Sequence, residues 1–170
     1  SSIQIGAMST AQIKAMEAED FAKLSTSAIA ALTSAQAANL TTDQVVALTT
    51  AQAAQITSAA VSGLSSAQVA ALETSDLAKL STDAIQSITT AALAGLSAAT
   101  QVSKLTTAQV AALSTAQVNA LSTAQVAALS TQQVNNLSSD QLSAMTTAQI
   151  AAIELTDVAA LTTSTLSGIT

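Results

Sequence analysis

The chain has no cysteine, histidine, proline, tryptophan, tyrosine or arginine, and only one phenylalanine and four glycines among its 170 residues. Each absence removes a class of chemistry. Without histidine and cysteine there are none of the usual ligands for zinc, haem or iron–sulfur clusters. The Ser–His and Cys–His nucleophile pairs go with them, as does the commonest general base. Without cysteine there is no disulfide framework, which suits a reduced cytosol and equally a secreted protein that does without disulfides. The lone aromatic, Phe21, and the missing arginines leave few anchors for a dedicated protein-binding face.

Charge is also scarce. Charged residues make up 8% of the chain, against roughly 25% in ordinary soluble domains. The net charge is −6, and the four cations are Lys14, Lys23, Lys79 and Lys104. Nucleic-acid binding needs a basic stripe, and none exists. Mean hydropathy is +0.49, yet Ser, Thr or Gln interrupts every apolar stretch well short of the roughly 18–20 residues a membrane span needs. The opening residues SSIQIGAM have neither the charged start nor the apolar run of a signal peptide. They also lack an initiator Met, so the expectation is a processed or excised piece of a longer protein.

What is present is one word, repeated. Residues 105–129 read LTTAQVAALSTAQVNALSTAQVAAL. A large apolar residue opens each word, from Met8, Met16, Leu24 and Leu32 to Met145, Ile153 and Leu161. Twenty words run from 8 to 168, all of eight residues except LSAATQVSK at 96–104, which has nine. A second apolar residue stands five places on, as at Ile13, Phe21, Val118 and Leu166, with Ala37 and Ala53 as small exceptions. A continuous helix would turn this stripe by about 80° per word, so its apolar face would wind away. Strands would need two-residue alternation with turns between. Neither pattern fits.

Each word reads instead as a helix N-terminus. In Leu113-Ser114-Thr115-Ala116-Gln117-Val118, Ser114 stands at the N-cap and Gln117 at the third helical position, the spacing of a capping box. Leu113 and Val118 then form the hydrophobic staple across it. A helix of about six residues cannot stand alone in water, but a stack of them can share one core. The expected fold is all-α: a single α-solenoid over residues 1–170, one very short helix per word. Two words per superhelical turn are preferred, from the 16-residue spacing of Ala37 with Ala53 and of Asn39 with Gln55; three are the alternative. Ten layers about 9 Å apart would make a rod of roughly 90 Å. The nine-residue word, after Gly95, is expected to form a bulge or bend.

Three words depart from the pattern together: MEAEDFAK at 16–23, LETSDLAK at 72–79 and IELTDVAA at 153–160. Glu replaces the capping Ser/Thr and Asp replaces Gln. Acids in a first helical turn complement the helix dipole, and that is the preferred reading; a cation site at Glu17, Glu19 and Asp20 is the sharper alternative. Calcium sites gather more carboxylates and a Gly turn. Asn39-Leu40-Thr41 and Asn136-Leu137-Ser138 match the glycosylation sequon, as chance allows in a chain this rich in Ser and Thr. Ten acids scattered over near-identical words offer no convergent pair for acid–base chemistry. No catalytic, cofactor-binding or metal-binding residue is assigned, and the chain is not expected to be an enzyme.

The word L-[ST]-T-x-Q-[VI]-x-A, with its L-E-T-x-D-[LIV] variant, resembles the octapeptide arrays of large bacterial secreted and surface proteins of adhesin-like type. The resemblance spans nearly the whole chain. It implies an extracellular or cell-surface structural segment of bacterial origin. The haem-related label such arrays often carry finds no ligands here. The leading functional expectation is a structural rod, either a filament subunit that self-associates through its solenoid ends or a stalk attached at the cell surface. Apolar residues at both ends (Ile3, Ile5 and Met8; Leu161, Leu166 and Ile169) motivate the filament form, because stacking that does not close gives a fibre. The alternative is a binding module that uses a solenoid face for adhesion or, through regularly spaced Thr, for ice.

Overall fold

The computed structural model describes residues 2–159 and 161. Among them are nineteen α-helices of four to six residues, from Ser2–Ala7 to Leu155–Val158, and one 3₁₀ turn at Val102–Lys104. From Thr10–Lys14 to Leu155–Val158 each eight-residue word contributes one helix. This is the solenoid of short helices that the repeat predicts.

Local chemistry sets the helix boundaries. Ser114 has extended backbone (φ −67°, ψ 158°), and its side chain accepts the Gln117 backbone N–H. Gln117 Oε1 accepts the Ser114 N–H in return, at 2.9 Å. This complete box recurs at eleven caps: Ser9, Thr33, Thr41, Thr49, Ser65, Thr106, Ser114, Ser122, Ser130, Ser138 and Thr146. Termination is equally local. The word-opening residue leaves the helical region, as Leu121 does at φ −63°, ψ 140°, and the next cap follows it in extended backbone. Two extended residues thus redirect the chain between helices. No described residue has a positive φ and no described peptide bond is cis, so the sharp turns need neither Gly nor Pro.

In most described words the two apolar residues point inward; Val158, at 41% exposed, does not. Leu113 and Val118, Leu121 and Val126, and Leu129 and Val134 are all buried, and they belong to one core cluster that runs from Ile5 to Leu161. Phe21, Ala37 and Ala53 are buried there too. Leu166 and Ile169 lie outside the described residues.

The expected two words per turn are corrected. Each helix packs against the third one after it: Ser2–Ala7 on Thr26–Ala30, Ser34–Ala38 on Ser58–Val61, and Thr123–Ala127 on Thr147–Ala152. Side-chain bonds reach further, from each Gln to carbonyls 28 to 32 residues earlier. One superhelical turn therefore holds between three and four words. The physical reason is the bend available at each junction. Two extended residues turn the chain by much less than the half-turn that a two-word coil requires. The 16-residue spacing of Ala37 and Ala53 marks no turn. The nineteen words described make between five and six turns, so at about 9 Å per layer they span nearer ~50 Å than 90 Å.

The nine-residue word forms a local bulge. The Ser97 carbonyl accepts from both Gln101 and Val102 N–H, and Ser97 N–H donates to Gln101 Oε1 across four residues rather than three, at 2.8 Å. The extra residue widens one capping loop and leaves the stack continuous. Gly63 and Gly95 mark places where turns approach most closely. A Cβ on Gly63 would lie 2.1 Å from the Ser34 carbonyl oxygen, and one on Gly95 would lie 2.4 Å from that of Ser66.

Candidate functional site: a ladder of buried glutamines

The capping box uses only the carbonyl oxygen of the Gln side chain. The amide NH₂ still carries two donors, and in a buried group both need acceptors. The solenoid supplies them. Gln36 Nε2 donates to the Ile5 and Met8 carbonyls at 2.9 and 2.8 Å, and Gln44 Nε2 to those of Ile13 and Met16 at 2.8 and 2.7 Å. Gln109 reaches Leu77 and Leu80 at 2.8 and 2.9 Å, and Gln149 reaches Val118 and Leu121 at 2.9 and 2.6 Å. Eleven glutamines do this in all, including Gln101 in the bulged word, which bonds Leu72 at 2.8 Å.

The acceptors are carbonyls at the C-terminal ends of helices, and the earlier of each pair, such as Ile13 or Leu77, also accepts the N–H three residues on. Each Gln thus closes the start of its own helix and the end of a helix one turn earlier. Across the insertion the register lengthens by one residue, to 29 and 32, at Gln101, Gln109, Gln117 and Gln125. It returns to 28 and 31 from Gln133 onward. Reading the repeat alone found the box and missed the ladder. The signal that could have found it was the pair of unused amide donors on a residue destined for burial.

The ladder is interrupted. Ala60, Ala84 and Ala92 stand where other words have Gln, and all three are buried. Asp76 stands at the same place and is buried as well. Burial and the neighbouring Glu73 carboxylate push the Asp76 carboxyl above its ordinary value, and a hydrogen bond from the Ser75 hydroxyl opposes them. Asp157 is buried and accepts from the Thr131 hydroxyl at 2.6 Å.

The other residues marked in the sequence sit on the surface. Asp20 is exposed and pairs with Lys23 at 3.0 Å. Glu17 occupies an N-cap but makes no capping hydrogen bond with its side chain, and Glu19 is exposed beside it. Asn39 and Asn136, the sequon residues, end their helices and donate to the Ala35 and Gln132 carbonyls at 2.9 and 2.7 Å. Among the described residues no three acidic side chains come together as a metal cluster would require. Among the described residues no helix is long and apolar enough to cross a membrane.

These features define a class: an α-solenoid of octapeptide words whose turns are tied together by one side chain per word. The family follows from the words themselves. The chain belongs to the ALTTAQ repeat family, which it matches over residues 13–50, 69–107, 100–131 and 123–152. No curated protein and no solved structure matches the chain.

Proposed function

We propose that this chain is a structural rod of a bacterial extracellular or surface protein, serving as a spacer or as a filament unit that stacks end to end. The observation that carries this reading is the ladder. Eleven words fasten their turn to the one before by the same Gln-to-carbonyl bonds, and the buried apolar core runs on through the words that lack them, so length grows by adding words and needs no new interaction. In such a quasi-one-dimensional stack each layer depends on its neighbours alone.

The surface agrees with a spacer. Phe21, the one aromatic, is 0% exposed and unavailable to a partner. Among the described residues the exposed large apolar side chains are Ile3, Val46 and Val158, which stand far apart in the sequence. Of these Ile3 is 83% exposed. Negative-stain electron microscopy across a concentration range tests the proposal. Separate rods near 50 Å long support the spacer, and uniform fibres that lengthen with concentration support end-to-end stacking. Compact particles without a long axis would refute both.

A further inference from the structure

Every word with Asp at the ladder position also has Glu at the cap: Glu17 with Asp20, Glu73 with Asp76, and Glu154 with Asp157. No other word has Glu at its cap. Replacing Gln alone would interrupt the ladder. The joint change does more, because it brings two carboxylates to one end of a four- or five-residue helix.

The second of these words is the informative one. Asp76 is 1% exposed, and its Oδ2 has no hydrogen-bond partner. Its Oδ1 has the Ser75 hydroxyl at 3.4 Å. In the first word Lys23 neutralises Asp20 at the surface; Lys79 holds the matching place in the second and makes no ion pair with Asp76. The helix packed on this one, Thr50–Ala53, carries no charged residue.

The ladder's register sets the Val45 and Leu48 carbonyls opposite position 76, 31 and 28 residues back. No glutamine takes them: Gln68 bonds the pair before, Ala37 and Leu40, and Gln101 the group at Val69 to Leu72. Where other words place an amide NH₂ between such carbonyls, this one places a carboxylate on a side chain one methylene shorter. Carboxylate oxygens, one of them without a partner, thus stand where other words present an amide donor. Glu73, exposed at the N-cap of the same helix, adds a second carboxylate whose charge is felt at Asp76.

An all-oxygen set with two negative charges suits a hard cation, which takes carboxylate and backbone carbonyl ligands together. We propose that Asp76 and Glu73, with the Val45 and Leu48 carbonyls, bind a cation of the calcium class between two turns of the solenoid. The ion does there what the glutamine amide does elsewhere, presenting positive charge to two helix-end carbonyls. The first Glu–Asp word has its own lysine, and in the third the Thr131 hydroxyl already occupies Asp157, so neither makes the same demand.

The test is equilibrium dialysis with radioactive calcium, paired with thermal unfolding followed by circular dichroism in EDTA and in millimolar calcium. Wild type is compared with Asp76→Gln, which writes into this word the side chain that eleven others use and should therefore fold, and with Asp76→Asn. The proposal expects wild type to bind one calcium per chain more than either variant, and calcium to raise the unfolding midpoint of wild type alone. Equal binding by all three proteins overturns it. So does a wild-type midpoint that ignores calcium and rises only on acidification, since Asp76 would then be a buried acid sharing a proton with a carbonyl.

Discussion

Replacing Gln117 by Ala isolates what one rung of the ladder contributes. Gln117 is buried, and its Oε1 accepts the Ser114 N–H at 2.9 Å. Its Nε2 donates to the Ile85, Gln86 and Ile88 carbonyls at 3.0, 3.2 and 2.7 Å. The backbone half of the box, Gln117 N–H to Ser114 Oγ at 3.2 Å, survives the change. What is lost is one bond at the cap and the bonds that hold two turns together.

A net hydrogen bond is worth about 0.5–1.5 kcal/mol, and a buried polar group left without a partner costs about 1–3 kcal/mol. The Ile85 carbonyl keeps its own turn bond from Ile88 N–H, which limits its loss. Taking two strong bonds and one partly abandoned carbonyl gives a destabilisation of about 3 kcal/mol. In a chain of this size that lowers the thermal midpoint by roughly 6–12 °C. Urea unfolding followed by circular dichroism measures it, with Ala116→Ser, an exposed change one residue away, as the control. Gln117→Leu separates volume from polarity: it fills the space but carries no donor, and should lose most of the same stability. The reasoning fails if Gln117→Ala stays within the spread of the exposed control, or if Gln117→Leu matches wild type.

The natural gaps supply the reciprocal prediction: Ala92→Gln should add a rung to the Val61 and Leu64 carbonyls and raise the thermal midpoint, and a fall would show that the turns there have closed over the missing side chain. Gly63→Ala should destabilise by about 1–3 kcal/mol through overpacking, since its methyl would meet the Ser34 carbonyl oxygen; a chemical-denaturation midpoint equal to wild type would mean that the two turns separate freely. Asp76 sets a pH dependence. Its folded pKa is raised above the unfolded value, so its contribution to stability is fully present below the unfolded value near 3.8 and is lost as pH rises through the folded one. In EDTA, wild type should therefore gain stability relative to Asp76→Gln on acidification from neutral pH, and a difference between the two that does not change with pH would refute the assignment. Deleting residues 113–120, one whole word, should leave a helical, cooperatively unfolding solenoid, whereas deleting 113–116 should not, because it breaks the 28-residue register; equal circular dichroism from the two would contradict the ladder.

Helix boundaries, core positions and the bulge were all legible in the sequence, because each depends on residues within a few places of one another. The box Ser114–Gln117 and the staple Leu113–Val118 can be read from six letters. The number of words per turn could not be read that way. It depends on the bend summed over several junctions, and the extended torsions at Leu121 and Ser122 have no distinct letter for their angle. The near-coincidence of Ala37 with Ala53 therefore suggested a coil that the junction geometry does not allow.

The ladder lies between these cases, and its logic was available earlier than the structure. A glutamine at the third position of a helix that has a turn stacked before it, next to a buried Val, has to be inside. Its carbonyl is used by the cap, and its two amide hydrogens then require acceptors that the same word does not have. Those acceptors had to come from another turn, and the only unsatisfied carbonyls a short helix offers are at its end. The same argument gives the exceptions their meaning. Where Ala stands for Gln, the amide donors are gone while the backbone carbonyls they would meet remain, and the cost is a lost rung. Where Asp stands for Gln, the acceptors remain and the donor becomes a negative charge. The conflict at Asp76 is thus not a relaxed repeat position but a demand for positive charge between Glu73, Val45 and Leu48.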